Sequence, residues 1–353
     1  MNILIDIGHP AHVHLFKNFI FAMRGKGHKV LITVKDKDVA IPLLERYNLD
    51  YISFGKTMDG LFMKALNLFR INLKLLKIIR KEKIDIGMGT SEIIAHCSKL
   101  SRMKSLIFTE DDAKEVPFFA MITYPFADYI ITPDCLKYEN HGKKHVTHPS
   151  YHELAYLHPN NFSPDPAILD ELGVNKNERF FILRFNSFKA YHDIGAKGIT
   201  KKNELISMLE KEGKVFITME GKIDEKFEKY QINITPEKIH SALFYATMFV
   251  GDSQTMTAEA SLLGTPALRC NSFVGRLACP EELQHRYGLT YGYKPGNEEA
   301  MYKKIKELLG RPNLKKEWNE KRNIMLKEKI DLTQWMINFV ENLKLKNQFK
   351  VIK

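Results

Sequence analysis

Cysteine and tryptophan are scarce in this chain, with four and two among 353 residues. Cys97, Cys135, Cys270 and Cys279 are scattered without metal-ligand spacing. That argues against a disulfide framework and against a zinc module, and the thiols read as reduced and mostly buried. No apolar run reaches the ~18 residues of a membrane-spanning helix. No charged, apolar, cleavable leader opens the sequence, and Met1 runs straight into a strand pattern, so a cytoplasmic protein is expected. Neither Gly-x-Gly-x-x-Gly nor a Walker-type phosphate loop occurs, so dinucleotide redox and P-loop readings lose support. Acidic residues are in the minority, 42 against 53 Lys and Arg, a net charge of +11. That balance fits phosphorylated substrates, an anionic membrane surface or nucleic acid. The basic residues are spread rather than gathered in one arm and no nucleic-acid motif accompanies them, so nucleic acid ranks last.

What is present is an alternation of strand and helix patterns. Asn2 to Ile7 is a continuous apolar run, the mark of a strand covered on both faces. Further strands are expected at 29–34, 50–54, 84–88, 105–108 and 128–132, with helices between them from Leu15, Val39, Leu61, Ile93 and Phe118. Residues His141 to Pro166 hold five histidines and four prolines without periodicity and read as a domain crossing. A second alternating half follows, with strands at 179–185, 215–219, 249–250 and 266–268, a long polar loop at 186–200, and helices to the end. The pattern predicts α/β architecture: two doubly wound parallel-sheet domains facing a central cleft. The expected boundaries are 1–148 on the acceptor side, 149–330 for nucleotide-sugar binding, and 331–353 as a helix returning to the first domain. Residues 61–83 form one long helix with seven Lys or Arg among many Leu, Ile and Phe. It suits either an anionic membrane or a place over the sheet with a solvated basic face.

The stretch Phe249 to Arg269 organises the rest. Gly251 and Asp252 make a sharp turn, Ser253 or Thr255 can cap a helix, Gly264 ends it and Pro266 prevents its restart. Such a turn aims helix N-terminal N–H groups at the carboxyl end of a parallel sheet, where an anion binds. Gly-Asp-Ser-x5-Glu-Ala-x3-Gly-x-Pro resembles the nucleotide-sugar motif in the C-terminal domain of GT-B proteins, and most closely that of the non-hydrolysing UDP-N-acetylglucosamine 2-epimerases. Taken whole, the chain resembles an uncharacterised archaeal and bacterial family of the same superfamily. The resemblance implies that Ser253 and Glu259 contact the diphosphate and ribose of a donor, with Asp252, Gln254 and Thr255 around them. It also implies a donor-facing loop after the first strand of the second half, carrying Arg184, Lys189 and His192. Arg269 and Arg276 flank the turn after Pro266. Without the resemblance, this is an ordinary strand–turn–helix.

His9, His12 and His14 are expected on the loop after the first strand, with a helix starting near Leu15. Ala11-His-Val-His-Leu15 resembles the Gly-His-Val-x-Pro loop of several inverting GT-B glycosyltransferases, which implies that His12 is a general base. His14 is its rival. Zinc binding by the three histidines, or mere capping of the helix, are the alternatives, and no metal site is expected. Glu110 follows the strand at 105–108, where the epimerases have a Glu used in proton transfer. Their other acids are missing: Thr90 stands where an Asp would fall, and 118–126 is apolar. The expected activity is therefore a metal-independent glycosyltransferase of surface glycan or glycolipid synthesis. It would take a nucleotide sugar, UDP-linked by resemblance, as co-substrate with no other cofactor, and a glycan or lipid-linked acceptor. It would be cytoplasmic, with peripheral membrane contact allowed. A sugar-nucleotide epimerase and a non-catalytic sugar-nucleotide binder are the other two readings.

Overall fold

The computed structural model describes residues 1–37, 39–56, 61–185, 198–219 and 224–350. They form two compact units, Met1–Asn161 with Ile330–Lys353, and Phe162–Lys329. In the first unit, β1 (Asn2–Ile7), α1 (Pro10–Gly25), β2 (Lys29–Asp36), α2 (Ala40–Arg46), β3 (Ile52–Lys56) and α3 (Leu61–Glu82) come first. Next are β4 (Ile86–Gly89), α4 (Glu92–Lys99), β5 (Lys104–Phe108), α5 (Pro117–Thr123), β6 (Tyr129–Pro133), β7 (His145–His148) and α6 (Leu154–Leu157). Among the described residues the seven strands lie side by side in the order β3-β2-β1-β4-β5-β6-β7, every pairing parallel.

Both faces of that sheet are covered, as the unbroken apolar run of β1 requires: Ile3, Leu4, Ile5 and Ile7 are all fully buried. Consecutive residues of β5 show the two layers. Ile107 joins a cluster with Leu75 of α3 and Ile94 of α4, while Phe108 turns the other way and meets Phe16 of α1 edge-on at 5.5 Å.

The second unit contains α7 (Ala167–Glu171), β8 (Phe180–Phe185), α8 (Lys202–Leu209), β9 (Lys214–Met219), α9 (Ile239–Tyr245) and β10 (Met248–Gly251). It continues with α10 (Gln254–Leu262), β11 (Ala267–Cys270), α11 (Ala278–His285), β12 (Thr290–Tyr293), α12 (Glu298–Leu309) and α13 (Leu314–Glu328). Its described strands form a parallel sheet in the order β12-β11-β10-β8-β9. Finally α14 (Leu332–Lys350) packs on α1 and α6 of the first unit and buries Leu332, Met336 and Val340. The α/β class and the doubly wound parallel plan read from the sequence are those of the structure.

Three local differences bear on function. Helix α1 begins at Pro10, not near Leu15. Proline suits a first helical turn, and the His9 Nδ1 accepts the Ala11 N–H at 3.2 Å, so a histidine serves as the cap. Strands β7 and β12, four residues each, were not expected. Both pair parallel to a neighbouring strand, but they are too short and mixed in composition to show a period. Helix α10 starts at Gln254 because Ser253 caps it, its hydroxyl accepting the Met256 N–H at 3.3 Å.

Gly264 closes α10 with a φ of +76°, and a side chain there would lie 2.6 Å from the Asn319 Oδ1. Gly264→Ala should therefore lower unfolding free energy by about 1–2 kcal/mol, the cost of a left-handed L-residue, seen as an earlier urea midpoint at unchanged slope.

Candidate functional site

In the first unit several ionisable side chains gather at the carboxyl ends of β1, β2, β4 and β5. Asp6, near the end of β1, is 1% exposed and accepts a 2.7 Å hydrogen bond from the Thr33 hydroxyl of β2. Burial raises its pKa, with Lys35 and the hydroxyls of Ser91 and Thr33 acting in the opposite sense. Lys35 in turn bonds Glu92 at 2.9 Å. Burial works against both of those charges, but their mutual attraction outweighs it, raising the pKa of Lys35 and lowering that of Glu92. Ser91 caps α4 through the Ile94 N–H, so the same turn holds the helix start and one partner of Asp6.

His12 lies in the first turn of α1, not on a loop. Its Nδ1 accepts the Gly8 N–H at 3.3 Å, so the neutral ring carries its proton on Nε2. Burial, with His152, Lys37 and Lys35 adding to it, pushes the pKa of His12 down to about 3. At neutral pH this imidazole is an uncharged N–H donor, and serving as a base would require it to release Gly8. That revises the role expected from the loop resemblance. His14 is a core residue: it is buried, its Nδ1 lies 3.3 Å from the Tyr47 hydroxyl, and its ring packs on Tyr156 at 5.2 Å. Beginning the helix at Pro10 turns residue 14 inward beside Val13, Leu15 and Phe16, so it is no rival to His12.

Glu110 follows β5 with its side chain 32% exposed, and its Oε2 is 3.4 Å from the Nδ1 of His152. His152 is nearly buried, and burial lowers its pKa to about 3. The structure thus brings Glu110 and His152 together, and His152 close enough to His12 to help depress its pKa. The sequence reading missed His152, because it lies in the proline-rich segment far along the chain from both. Asp6 was read only as part of an apolar strand. Among the described residues no group of three or more His, Cys, Asp or Glu is placed to hold a metal ion.

In the second unit the register sets Arg184, Gly251 and Arg269 side by side at the carboxyl ends of β8, β10 and β11. A side chain at 251 would strike the Arg184 carbonyl oxygen at 2.6 Å, so only glycine lets these strands end together. Beyond it come Asp252, Ser253 and the start of α10. Asp252 is buried and its carbonyl accepts from the Asn271 amide at 2.9 Å, which locks the turn. Gln254 and Thr255 are partly exposed there, as is Arg184, whose Nη1 donates to the Thr218 hydroxyl at 2.6 Å.

Two residues expected to face a ligand are engaged internally. Glu259 is 4% exposed and its Oε1 lies 2.9 Å from the Nε2 of His240 on α9. Arg269 is fully buried, with Nη2 on Glu281 and Nη1 3.4 Å from the Gln254 Oε1. Burial opposes its charge and Glu281 supports it. A buried ion needs a partner, and each of these has found one inside the unit. His240, Glu281 and Asn271 carry no motif that could have marked them. Arg276 is exposed and sits over the Phe273 ring at 5.5 Å. Lys189 and His192, with most of the loop expected at 186–200, lie outside the described residues.

Comparison with known proteins gives this geometry a context. The description "Protein of unknown function (DUF354)" matches residues 1–280. The chain belongs to the DUF354 family. A relative in Methanocaldococcus jannaschii, described as an uncharacterized protein, is 25% identical over 288 residues, covering 76% of this chain and 82% of its own. The UDP-GlcNAc 2-epimerase from Neisseria meningitidis, solved bound to UDP-GlcNAc, superposes with a TM-score of 0.67 at 11% identity, covering 97% of this chain and 99% of its own. The S. aureus MnaA–UDP structure gives 0.68 at 14%, over 97% and 96%. The spinosyn rhamnosyltransferase SpnG, complexed with spinosyn aglycone, gives 0.60 at 12%, over 98% and 100%. At such identities these likenesses show the fold. This DUF354 member has the GT-B type of fold, built from two Rossmann-like units.

The depressed histidine pKa values set a pH dependence. His12 and His152 stay uncharged in the native state down to about pH 3, whereas unfolded histidine titrates near 6.5. Between those values the unfolded state binds more protons. Stability from these groups is therefore full above pH 6.5 and lost as pH falls toward 3. His152→Gln should make the fall shallower by up to about 1.4 kcal/mol per pH unit, read from urea midpoints between pH 7 and 4.5. An unchanged slope would mean that His152 is charged in the native protein.

Proposed function

We propose that this protein is a metal-independent, nucleotide-sugar-dependent glycosyltransferase. The donor would bind on the second unit and the acceptor would react at the first. The observation that carries the reading is the strand–turn–helix from Gly251 to Glu259. A parallel sheet ends there against a capped helix N-terminus, with Gln254, Thr255 and Arg184 partly exposed beside it. Main-chain N–H groups and a guanidinium suit a diphosphate. Glu259, buried against His240 in the second turn of that helix, would steady the helix behind the diphosphate site rather than meet the donor itself. UDP and UDP-GlcNAc in the similar solved structures support the choice of donor class.

For the transfer step, an acceptor hydroxyl must lose a proton as it attacks the anomeric carbon, and the nucleoside diphosphate leaves with the bonding pair. Glu110 is the base we propose, because it is an accessible carboxylate braced by His152. His12 would donate from Nε2 to an oxygen of the acceptor or sugar. A neutral donor of this kind orients without adding a charge. The acceptor we favour is a surface glycan or glycolipid precursor. Epimerisation is the second reading, since solved epimerases share the fold. It needs acids and bases on both faces of the sugar, and 118–126 offers Phe, Ala, Met, Ile, Thr, Tyr and Pro where the resemblance to the epimerases would put acids. A sugar-nucleotide binder without catalysis is the third.

Uridine diphosphate should raise the melting temperature, and Arg184→Ala should weaken its binding by roughly 1–3 kcal/mol in calorimetry. With donor and acceptor present, Glu110→Gln should keep donor affinity and lose about 10²–10⁴-fold in turnover. His12→Asn, which keeps a donor, should retain more activity than His12→Ala. No rate limb should fall near pH 6.5 from His12. Deuterium uptake at the sugar C2 in heavy water without acceptor would instead identify an epimerase. Binding without either reaction would leave the non-catalytic reading.

A further inference from the structure

Helices α3, α4 and α5 cover one face of the first sheet, and two of them carry more apolar surface than the core uses. The inner side of α3, Ile71, Leu75, Leu76 and Ile79, packs with Ile93 and Ile94 of α4, and Phe119 and Ala120 of α5 pack against the same cluster. His96 of α4 ties the layer together. Its Nε2 lies 2.8 Å from the Ile122 carbonyl oxygen of α5, and its Nδ1 lies 3.5 Å from the Asn72 amide of α3. The outer side is unlike that of a solvated helix. Leu66, Phe69 and Leu73 are 53%, 64% and 46% exposed, and they form one stripe at helical spacing. On α5, Phe118 and Met121 are 51% and 64% exposed.

The α3 stripe changes character along its length. After Leu73 it continues as Lys74, Lys77, Arg80 and Lys81, all exposed, with Arg70 beside Phe69. The helix has a single acidic residue, Glu82 at its end, which bonds Lys29 at 2.6 Å. Ordinary surface helices put isolated apolar residues among mixed charges. Here aromatic and aliphatic side chains stand together, followed by charge of one sign, in a chain that carries +11 overall.

We propose that the outer face of α3 and α5 docks on an anionic lipid bilayer, the apolar side chains entering the interface and the basic ones meeting lipid phosphates. The charge complementarity selects this occupant over a second copy of the chain, whose same face would bring two basic stripes together. Helices in a parallel α/β sheet start at the carboxyl ends of the strands, so Leu66, Phe69 and Phe118 lie in the early turns, toward the edge that holds His12 and Glu110. A lipid-linked acceptor would therefore enter the reaction edge from the membrane side. The docking stands without the transferase reading, whereas this use of it rests on that reading.

The test is co-sedimentation of the full chain with phosphatidylglycerol vesicles and with phosphatidylcholine vesicles. Binding is expected to the first and not the second, and should fall as salt rises. Lys77→Ala with Arg80→Ala should weaken it roughly tenfold or more at low salt. Phe69→Ser with Met121→Ser should weaken it at every salt concentration. In each variant the melting-temperature rise with uridine diphosphate shows whether the fold and donor site persist. Lost vesicle binding with donor binding intact supports the docking. No pelleting of the wild type with phosphatidylglycerol vesicles at low salt overturns it, as does equal pelleting with phosphatidylcholine. A concentration-dependent dimer in sedimentation velocity that Phe69→Ser abolishes would assign the face to a second copy and also overturns it. Absence of donor binding in the wild type, with vesicle binding present, would sink the functional reading and leave the docking in place.

Discussion

Parallel strands all end on the same edge, and each is followed by the start of a helix. In both units this one constraint decides where chemistry can sit. It collects the last peptide groups of several strands, the unpaired N–H groups of the following helix N-termini, and whatever side chains lie within three residues of a strand end. In the first unit these are Asp6, Lys35, Ser91, Glu92 and Glu110, with His12 one turn into α1. In the second they are Arg184, Gly251, Arg269 and the Ser253 cap of α10. The reaction proposed for the molecule depends on those edges remaining ordered.

Order there comes from ionisable groups with little access to water, each held by a polar or charged partner. Asp6 is held against Thr33 and Ser91, Lys35 against Glu92, Glu259 against His240, and Arg269 against Glu281. Each pair joins residues from different elements, so it positions one strand end relative to its neighbour. A pair of this kind adds little net stability, because desolvation opposes it. Its effect is geometric: a turn that could adopt several shapes is confined to one. The neutral state of His12 follows from the same surroundings, since burial with His152, Lys37 and Lys35 nearby disfavours a further positive charge.

The architecture was legible in the sequence because buried parallel strands write themselves as apolar runs, and Gly251, Gly264 and Pro266 punctuate α10 by rules that hold locally. The start of α1 was not, because a histidine cap followed by proline has no strong signature, and that shift moved His14 from a reaction edge to the core. β7 and β12 escaped because four residues of mixed polarity show no period. The candidate site was legible only at members close to strand ends, such as Ser253, Glu110 and Arg184. His152, His240, Asn271 and Glu281 are brought in by tertiary contact, and nothing in their immediate sequence distinguishes them from ordinary helix or loop residues. The outer stripe of α3 could be suspected from composition. Its division into an apolar half and a basic half needed knowledge of which residues the core consumes.

Helix α14 ends the chain but belongs to the first unit, where Met336 and Val340 are fully buried, its Thr333 hydroxyl bonds the Ala155 carbonyl at 2.7 Å, and α1 and α6 receive it. During synthesis, residues 1–161 must therefore wait for the whole of the second unit to emerge before their last layer arrives. Until then α1 presents an apolar side with no cover. A nascent chain in that state is a substrate for holding chaperones and a target for aggregation. The second unit, contiguous from 162 to 329, has no such delay and can complete its layers as it emerges. The first unit is thus the first begun and the last completed, and loss of α14 would leave it without that layer.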